Sequence, residues 1–213
     1  MWKDARLTDL LGLEHPIIQA PMAGSSTSAM AAAAANAGCL GSLGCAMMPP
    51  EVYQAEFAAT RQATNRRINM NFFCHTPPSD DAGKAKAAQG WLAPLFAELG
   101  IAEMPEVRAT HVPYGPELHE EVLHTHPGVV SFHFGLPEQK FVDELKADNA
   151  IILCSATTAA EARDLESRGV DVIIAQGWEA GGHHGFYLSD RPAQVGTIAL
   201  VPAGVDAVSV PVV

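Results

Sequence analysis

Charge is scarce in this sequence, and positive charge scarcest. Lys and Arg total 13 against 24 Asp and Glu, for a formal net charge of −11, and charged residues make up only 17% of the chain. Phosphate contacts need clustered Lys and Arg, so the balance argues against nucleic acid and anionic membrane surfaces as partners. Cysteine is also sparse: Cys39, Cys45, Cys74 and Cys154 are scattered and form no C-x-x-C pair. A disulfide scaffold or zinc ribbon is therefore not expected. The most apolar run, residues 29–35, is almost all Ala and too short to span a bilayer. The opening Met1-Trp2-Lys3-Asp4-Ala5-Arg6 lacks the apolar stretch of a signal peptide. These absences make a reducing cytoplasm the expected location. Hydrophobic residues reach 48%, enough for a sizeable core and too many for a disordered chain.

Several catalytic signatures are missing too. The chain holds no G-x-x-x-x-G-K-[ST] loop and no G-x-S-x-G elbow. Gly38-Cys39-Leu40-Gly41-Ser42-Leu43-Gly44 is G-x-x-G-x-x-G and overlaps a strand signal, which rejects a dinucleotide fingerprint. His119-Glu120-Glu121-Val122-Leu123-His124 resembles H-E-x-x-H, but its histidines are one residue too far apart. They fall about 140° apart around a helix. His119 and His126 share a face but sit about 10 Å apart along the axis, too far for one zinc. A solvated helix face is the expectation there. His183 and His184 lack a third ligand nearby, so no metal site is expected. Cys74 beside His75 reads as a buried thiol at a strand end.

What is present is an alternation of short apolar runs and helical stretches. Strand signals fall at residues 16–20, 40–43, 68–73, 129–133, 150–154 and 172–176, and a seventh opens at 209–213. Helices are expected at 28–37, 49–64, 82–99, 116–126, 138–147, 158–168 and 195–205, with Gly38 stopping the first and Ser155-Ala156-Thr157 leading into the sixth as a cap. The strands read as continuous apolar runs, which suits a parallel sheet covered by helices. Their spacing, mostly about 20–30 residues, suits βαβ units. No linker divides the chain, so residues 1–213 are expected to be one domain. A (β/α)8 barrel needs eight units and about 250 residues. The expected fold is therefore an α/β TIM-type barrel, incomplete, with about six βα units and the start of strand seven.

Ligands of parallel α/β sheets bind at the carboxyl ends of the strands. Those ends carry Gln19-Ala20-Pro21-Met22-Ala23-Gly24, Asn69-Met70-Asn71, His133-Phe134-Gly135, and the run from Gln176 to Gly185. Asn71, His133, Gln176 and His183 would share one rim. The densest feature is Gly181-Gly182-His183-His184-Gly185, where glycines let backbone N–H groups approach a ligand. An imidazole of ordinary pKa, about 6.5, can take or release a proton near neutrality.

Ile17-Ile18-Gln19-Ala20-Pro21-Met22-Ala23-Gly24, Ser131-Phe132-His133-Phe134-Gly135 and Ala175-Gln176-Gly177-Trp178-Glu179-Ala180-Gly181-Gly182-His183 together resemble the motifs of nitronate monooxygenase, formerly 2-nitropropane dioxygenase. Val195-Gly196-Thr197-Ile198-Ala199-Leu200-Val201-Pro202 resembles the family's segment before strand seven. The resemblance implies FMN at the rim of a TIM barrel. It implies oxidation of alkyl nitronates by O2 to a carbonyl compound and nitrite, with FMN passing electrons singly. It assigns FMN contacts to Ala20, Pro21, Met22, Asn71, Gln176, Gly181 and Gly182. His183 becomes the base for a neutral nitroalkane, and His133 helps hold the nitro group.

Where the family usually has Arg after the loop histidine, this chain has His184, with less charge at neutral pH. The family also continues past a strand like Pro211-Val212-Val213 into a Gly-rich turn and a Q-M-G-T-like segment that bind the FMN phosphate. Neither is in this sequence, so an active full-length parent and weak or absent FMN binding by this fragment are expected, while the fragment's own activity stays open. The competing readings are a flavin-dependent NAD(P)H enoyl reductase on the same barrel and a non-catalytic truncated remnant. A homo-oligomer stays open.

Overall fold

A computed structural model describes residues 2–77, 81–103 and 112–213. In chain order the helices are α1 (Arg6–Leu11), α2 (Ser28–Asn36), α3 (Pro50–Ala63), α4 (Ala82–Glu98), α5 (Pro116–His124), α6 (Gln139–Ala147), α7 (Ala159–Ser167) and α8 (Thr197–Ala207). The strands are β1 (Gly41–Gly44), β2 (Ile68–Phe73), β3 (Val129–His133), β4 (Ile151–Ala156) and β5 (Val172–Ala175). The chain divides into two compact units, Met1–His75 with Pro113–Val213, and Thr76–Val112. The smaller unit holds α4, whose first turn is capped by the Asp81 carboxylate accepting from the Lys84 N–H.

In the larger unit all five strands pair in parallel and in sequence order, β1-β2-β3-β4-β5. Single parallel bridges extend the sheet at both edges, Ile18 to Leu40 and Ile173 to Val212. This is the α/β, TIM-type order expected from the alternating runs. The first and seventh segments are bridges rather than full strands, as fits Pro16, Pro21 and Pro211, which carry no N–H to donate to a ladder.

Along each strand the side chains alternate between two environments. Ile68, Met70 and Phe72 of β2, Val130 and Phe132 of β3, and Ile152 and Cys154 of β4 pack against helix residues Ala31, Tyr53, Val122, Phe141 and Leu165 in one core. A second cluster joins Leu40, Val129, Ile151, Leu153 and Val172 to Leu7 and Leu11 of α1. It draws together residues from opposite ends of the strand order, so the sheet curls and α1 closes its lower end. The sequence reading missed α1, although Leu7 and Leu11 sit at helical spacing and Gly12 follows with φ of 69° as its stop.

The Ala-rich α2 lies flat on the sheet. A Cβ at Gly41 would come within 2.0 Å of the Ala31 carbonyl oxygen, so only glycine beside alanine permits that approach. The helix ends as expected, with Gly38 at φ 84°. Two expectations need correction. His119 is buried, not solvated: its Nδ1 is 3.0 Å from the Tyr114 hydroxyl, its Nε2 is 2.6 Å from Glu144 Oε2, and its ring stacks on Phe141. The reason is that α5 turns this face toward α6, while His124 and His126 stay exposed. The cap of α7 is Thr158, whose hydroxyl accepts from the Glu161 N–H, and Ser155 is left for another partner.

Candidate active site

The interior of the sheet changes character from bottom to top. Among the apolar Val129, Ile151, Leu153 and Val172 it holds Ser42, Asn69, Asn71, Ser131 and Ser155, all buried. Two bonds join members of this set. Asn69 Nδ2 donates to Ser42 Oγ at 3.1 Å, and Asn71 Nδ2 donates to Ser131 Oγ at 2.9 Å. No described residue donates to Asn71 Oδ1.

Above this layer opens a cavity of about 630 Å³, within the usual range for small-molecule and cofactor sites. Every residue assigned a role on the sequence lines it: Ala20, Pro21, Met22, Asn71, His133, Gln176, Gly181, Gly182 and His183. Phe73, Met47 and Ser155 line it too and were not singled out. For Phe73 and Ser155 the signal was the period-two alternation at the strand ends, Asn69-Asn71-Phe73 and Leu153-Ser155, whereas Met47 lies in the turn after β1.

One wall is the Ala20–Ala23 segment. Gln19 Oε1 accepts from the Ser42 N–H, and Ser26 Oγ accepts from the Met22 N–H at 2.7 Å, so polar side chains hold this backbone against β1. A Cβ at Gly44 would touch the Met22 and Ala23 backbone at 3.1 Å.

The opposite wall is the glycine loop after β5. Gln176 grips it twice: its Nε2 donates to the His183 carbonyl at 2.7 Å and its Oε1 accepts from the Gly185 N–H at 2.7 Å. Glu179 accepts from the Thr197 N–H at the start of α8, which stabilises the loop's outer limb, and its own backbone N–H, followed by Thr197, holds its carboxyl below the usual range. Gly181 and Gly182 leave their backbone open, since a Cβ on either would meet nothing within 4 Å. The His183 side chain is exposed at the mouth, with its ring 5.5 Å from Phe73 and 6.0 Å from Phe134.

His133 stands beside it. Its Nε2 is 2.9 Å from the His183 carbonyl oxygen and its Nδ1 2.6 Å from Ser155 Oγ. Burial lowers its pKa below the ordinary histidine value, so the ring is neutral at pH 7. His184 turns away and packs its ring against Trp178 and Phe186. Cys74 is a protonated thiol, pushed up by burial. Among the described residues no cluster has the makings of a metal site.

A family model for nitronate monooxygenase matches residues 4–213. The chain belongs to the nitronate monooxygenase family. That family is one of flavin oxidoreductases. The nitronate monooxygenase of Paraburkholderia phytofirmans is 43% identical over 91% of this chain and 54% of its own length, and that of Pseudomonas aeruginosa is 42% identical over 92% and 57%. Among solved structures, a nitroalkane oxidase from Streptomyces ansochromogenes superposes with a TM-score of 0.78 at 31% identity, covering 97% of this chain and 59% of that one. FabK from Thermotoga maritima gives 0.69 at 27% identity, covering 97% and 52%. The chain thus spans little more than half the length of these nitronate monooxygenases.

Proposed function

We propose that the protein oxidises alkyl nitronates with O2 to a carbonyl compound and nitrite, with FMN as its flavin. The observation that carries this reading is the meeting of His183, His133, Asn71 and Gln176 at one cavity mouth above the strand ends. In the reaction the carbon–nitrogen bond breaks, oxygen derived from O2 takes nitrogen's place on carbon, and nitrogen leaves as nitrite. The flavin, when bound, carries the electrons between nitronate and O2.

The cavity suits a flat ring system with a few polar edges. Ala20, Pro21 and Met22 supply an apolar wall for it. The open Asn71 Oδ1, the second N–H of the Gln176 amide and the free backbone at Gly181 and Gly182 supply its polar contacts. His183, free at the mouth, takes the α-proton of a neutral nitroalkane. His133 helps hold the nitro group by sharing the Nε2–H that it already gives to the His183 carbonyl.

Among the described residues no helix is long and apolar enough to cross a membrane, and the four cysteines are free, which supports a cytoplasmic setting for this chemistry. The test is to supply the protein with FMN and an alkyl nitronate under air and to measure nitrite. Nitrite release supports the reading. Rapid NADH consumption with an enoyl thioester, and none with nitronate, would instead favour the enoyl reductase suggested by the FabK likeness.

A further inference from the structure

We propose that Ser155 is a positioning residue for His183, acting through the ring of His133. This rests on the reading of His183 as the proton acceptor. A carbonyl oxygen only accepts, so the 2.9 Å bond to the His183 carbonyl puts a proton on Nε2 of His133. In a neutral ring Nδ1 is then an acceptor, and the Ser155 hydroxyl at 2.6 Å must donate to it. Ser155 is buried on the inner face of β4, where its hydroxyl supplies the donor that Nδ1 of this tautomer needs. The loop carbonyl at 183 therefore receives two aimed donors, His133 Nε2 and Gln176 Nε2.

A second observation points the same way. A Cβ built on Gly185 would lie 2.4 Å from His133 Cε1, 2.7 Å from Nδ1 and 2.8 Å from Ser155 Oγ. The loop backbone is thus pressed directly onto the Ser155–His133 pair, two residues beyond the imidazole that it presents. The chain Ser155 to His133 to the His183 carbonyl is a rigid link between β4 and the glycine loop. Removing the hydroxyl leaves Nδ1 without its donor, so the ring turns its Nε2–H away from the loop and, once off the His183 carbonyl, exchanges tautomers.

The experiment uses Ser155→Ala and Ser155→Thr, with folding checked by circular dichroism. Nitrogen-15 NMR of histidine-labelled protein, without flavin, reads the tautomer of His133, assigned by loss of its signals in His133→Asn. The wild type is expected to show neutral Nε2–H, S155A a tautomer mixture, and S155T the wild-type form. With FMN, S155A is expected to lower turnover of a neutral nitroalkane about 10–100-fold, the usual effect of losing such a support. Turnover of preformed nitronate needs no proton removed and loses only the hold of His133 on its nitro group, so it should fall less than that of the neutral nitroalkane. An unchanged His133 tautomer in S155A, or an equal fall with both substrates, overturns the proposal. If the wild type oxidises neither substrate, the functional reading fails, while the tautomer measurement still decides whether Ser155 governs His133.

Discussion

On β2, Ile68, Met70 and Phe72 face the helices while Asn69, Asn71 and Phe73 face the interior, one residue apart throughout. The outer set is apolar along its whole length. On β3 and β4 the inner set turns from apolar to polar as it climbs, from Val129 through Ser131 to His133 and from Leu153 to Ser155, while on β2 it is polar at Asn69 and Asn71 and ends in Phe73. The same backbone thus supports two cores with different tasks. One holds helices on by removing apolar area from water. The other holds polar groups at fixed positions by hydrogen bonds among them, and ends in a cavity. The two faces should respond to mutation in different currencies, the outer in stability and the inner in chemistry.

The sharpest separation lies at the top of the inner face. His183→Gln removes the proton acceptor from an exposed side chain, so folding should be unaffected. Oxidation of a neutral nitroalkane is expected to fall about 10²–10⁴-fold, the usual contribution of a positioned general base. Preformed nitronate should be oxidised at near the wild-type rate. Steady-state nitrite assays on both substrates check this. An equal loss on both would mean that the imidazole does something other than accept a proton.

The outer face should break in the opposite sense. Phe72 is fully buried and stacks edge-on against Tyr53 and Tyr114. Phe72→Ala is expected to cost about 3–5 kcal/mol of stability. Its inner neighbour Asn69 makes one side-chain bond, to Ser42, and its Oδ1 is buried without a partner among the described residues. Asn69→Ala should therefore cost only about 1 kcal/mol. Urea unfolding of the two variants decides it, and equal losses would erase the distinction between the faces.

This contrast also explains what the sequence made legible. The outer face announced itself, because runs such as Val129-Val130 and Ile151-Ile152-Leu153 are apolar enough to mark strands, and all five ladder strands fall within two residues of their expected ends. The strand-end residues were legible because four polar groups recurred at corresponding places. The support beneath them was not. Ser155 reads equally well as a helix cap, and only the fold shows that Thr158 caps α7 and that Ser155 turns inward to His133. His119 failed for the same reason: helix periodicity tells which residues share a face, and only packing tells whether α6 covers it.

The smallest effect expected belongs to His133, the one imidazole among the described residues whose pKa is shifted. Its folded-state pKa lies below the ordinary value of 6.5, chiefly from burial. Between that lowered value and 6.5 the unfolded chain binds a proton that the folded chain does not, so stability must rise with pH across this window. Above 6.5 both states are neutral there and the contribution levels off. Acidifying from pH 7.5 should thus weaken the fold as pH drops below 6.5, and His133→Asn should flatten that part of the slope. Urea midpoints measured across the range for wild type and variant check it. A slope that His133→Asn leaves unchanged would assign the acid sensitivity to other groups and would mean that the inner face does not hold this ring neutral.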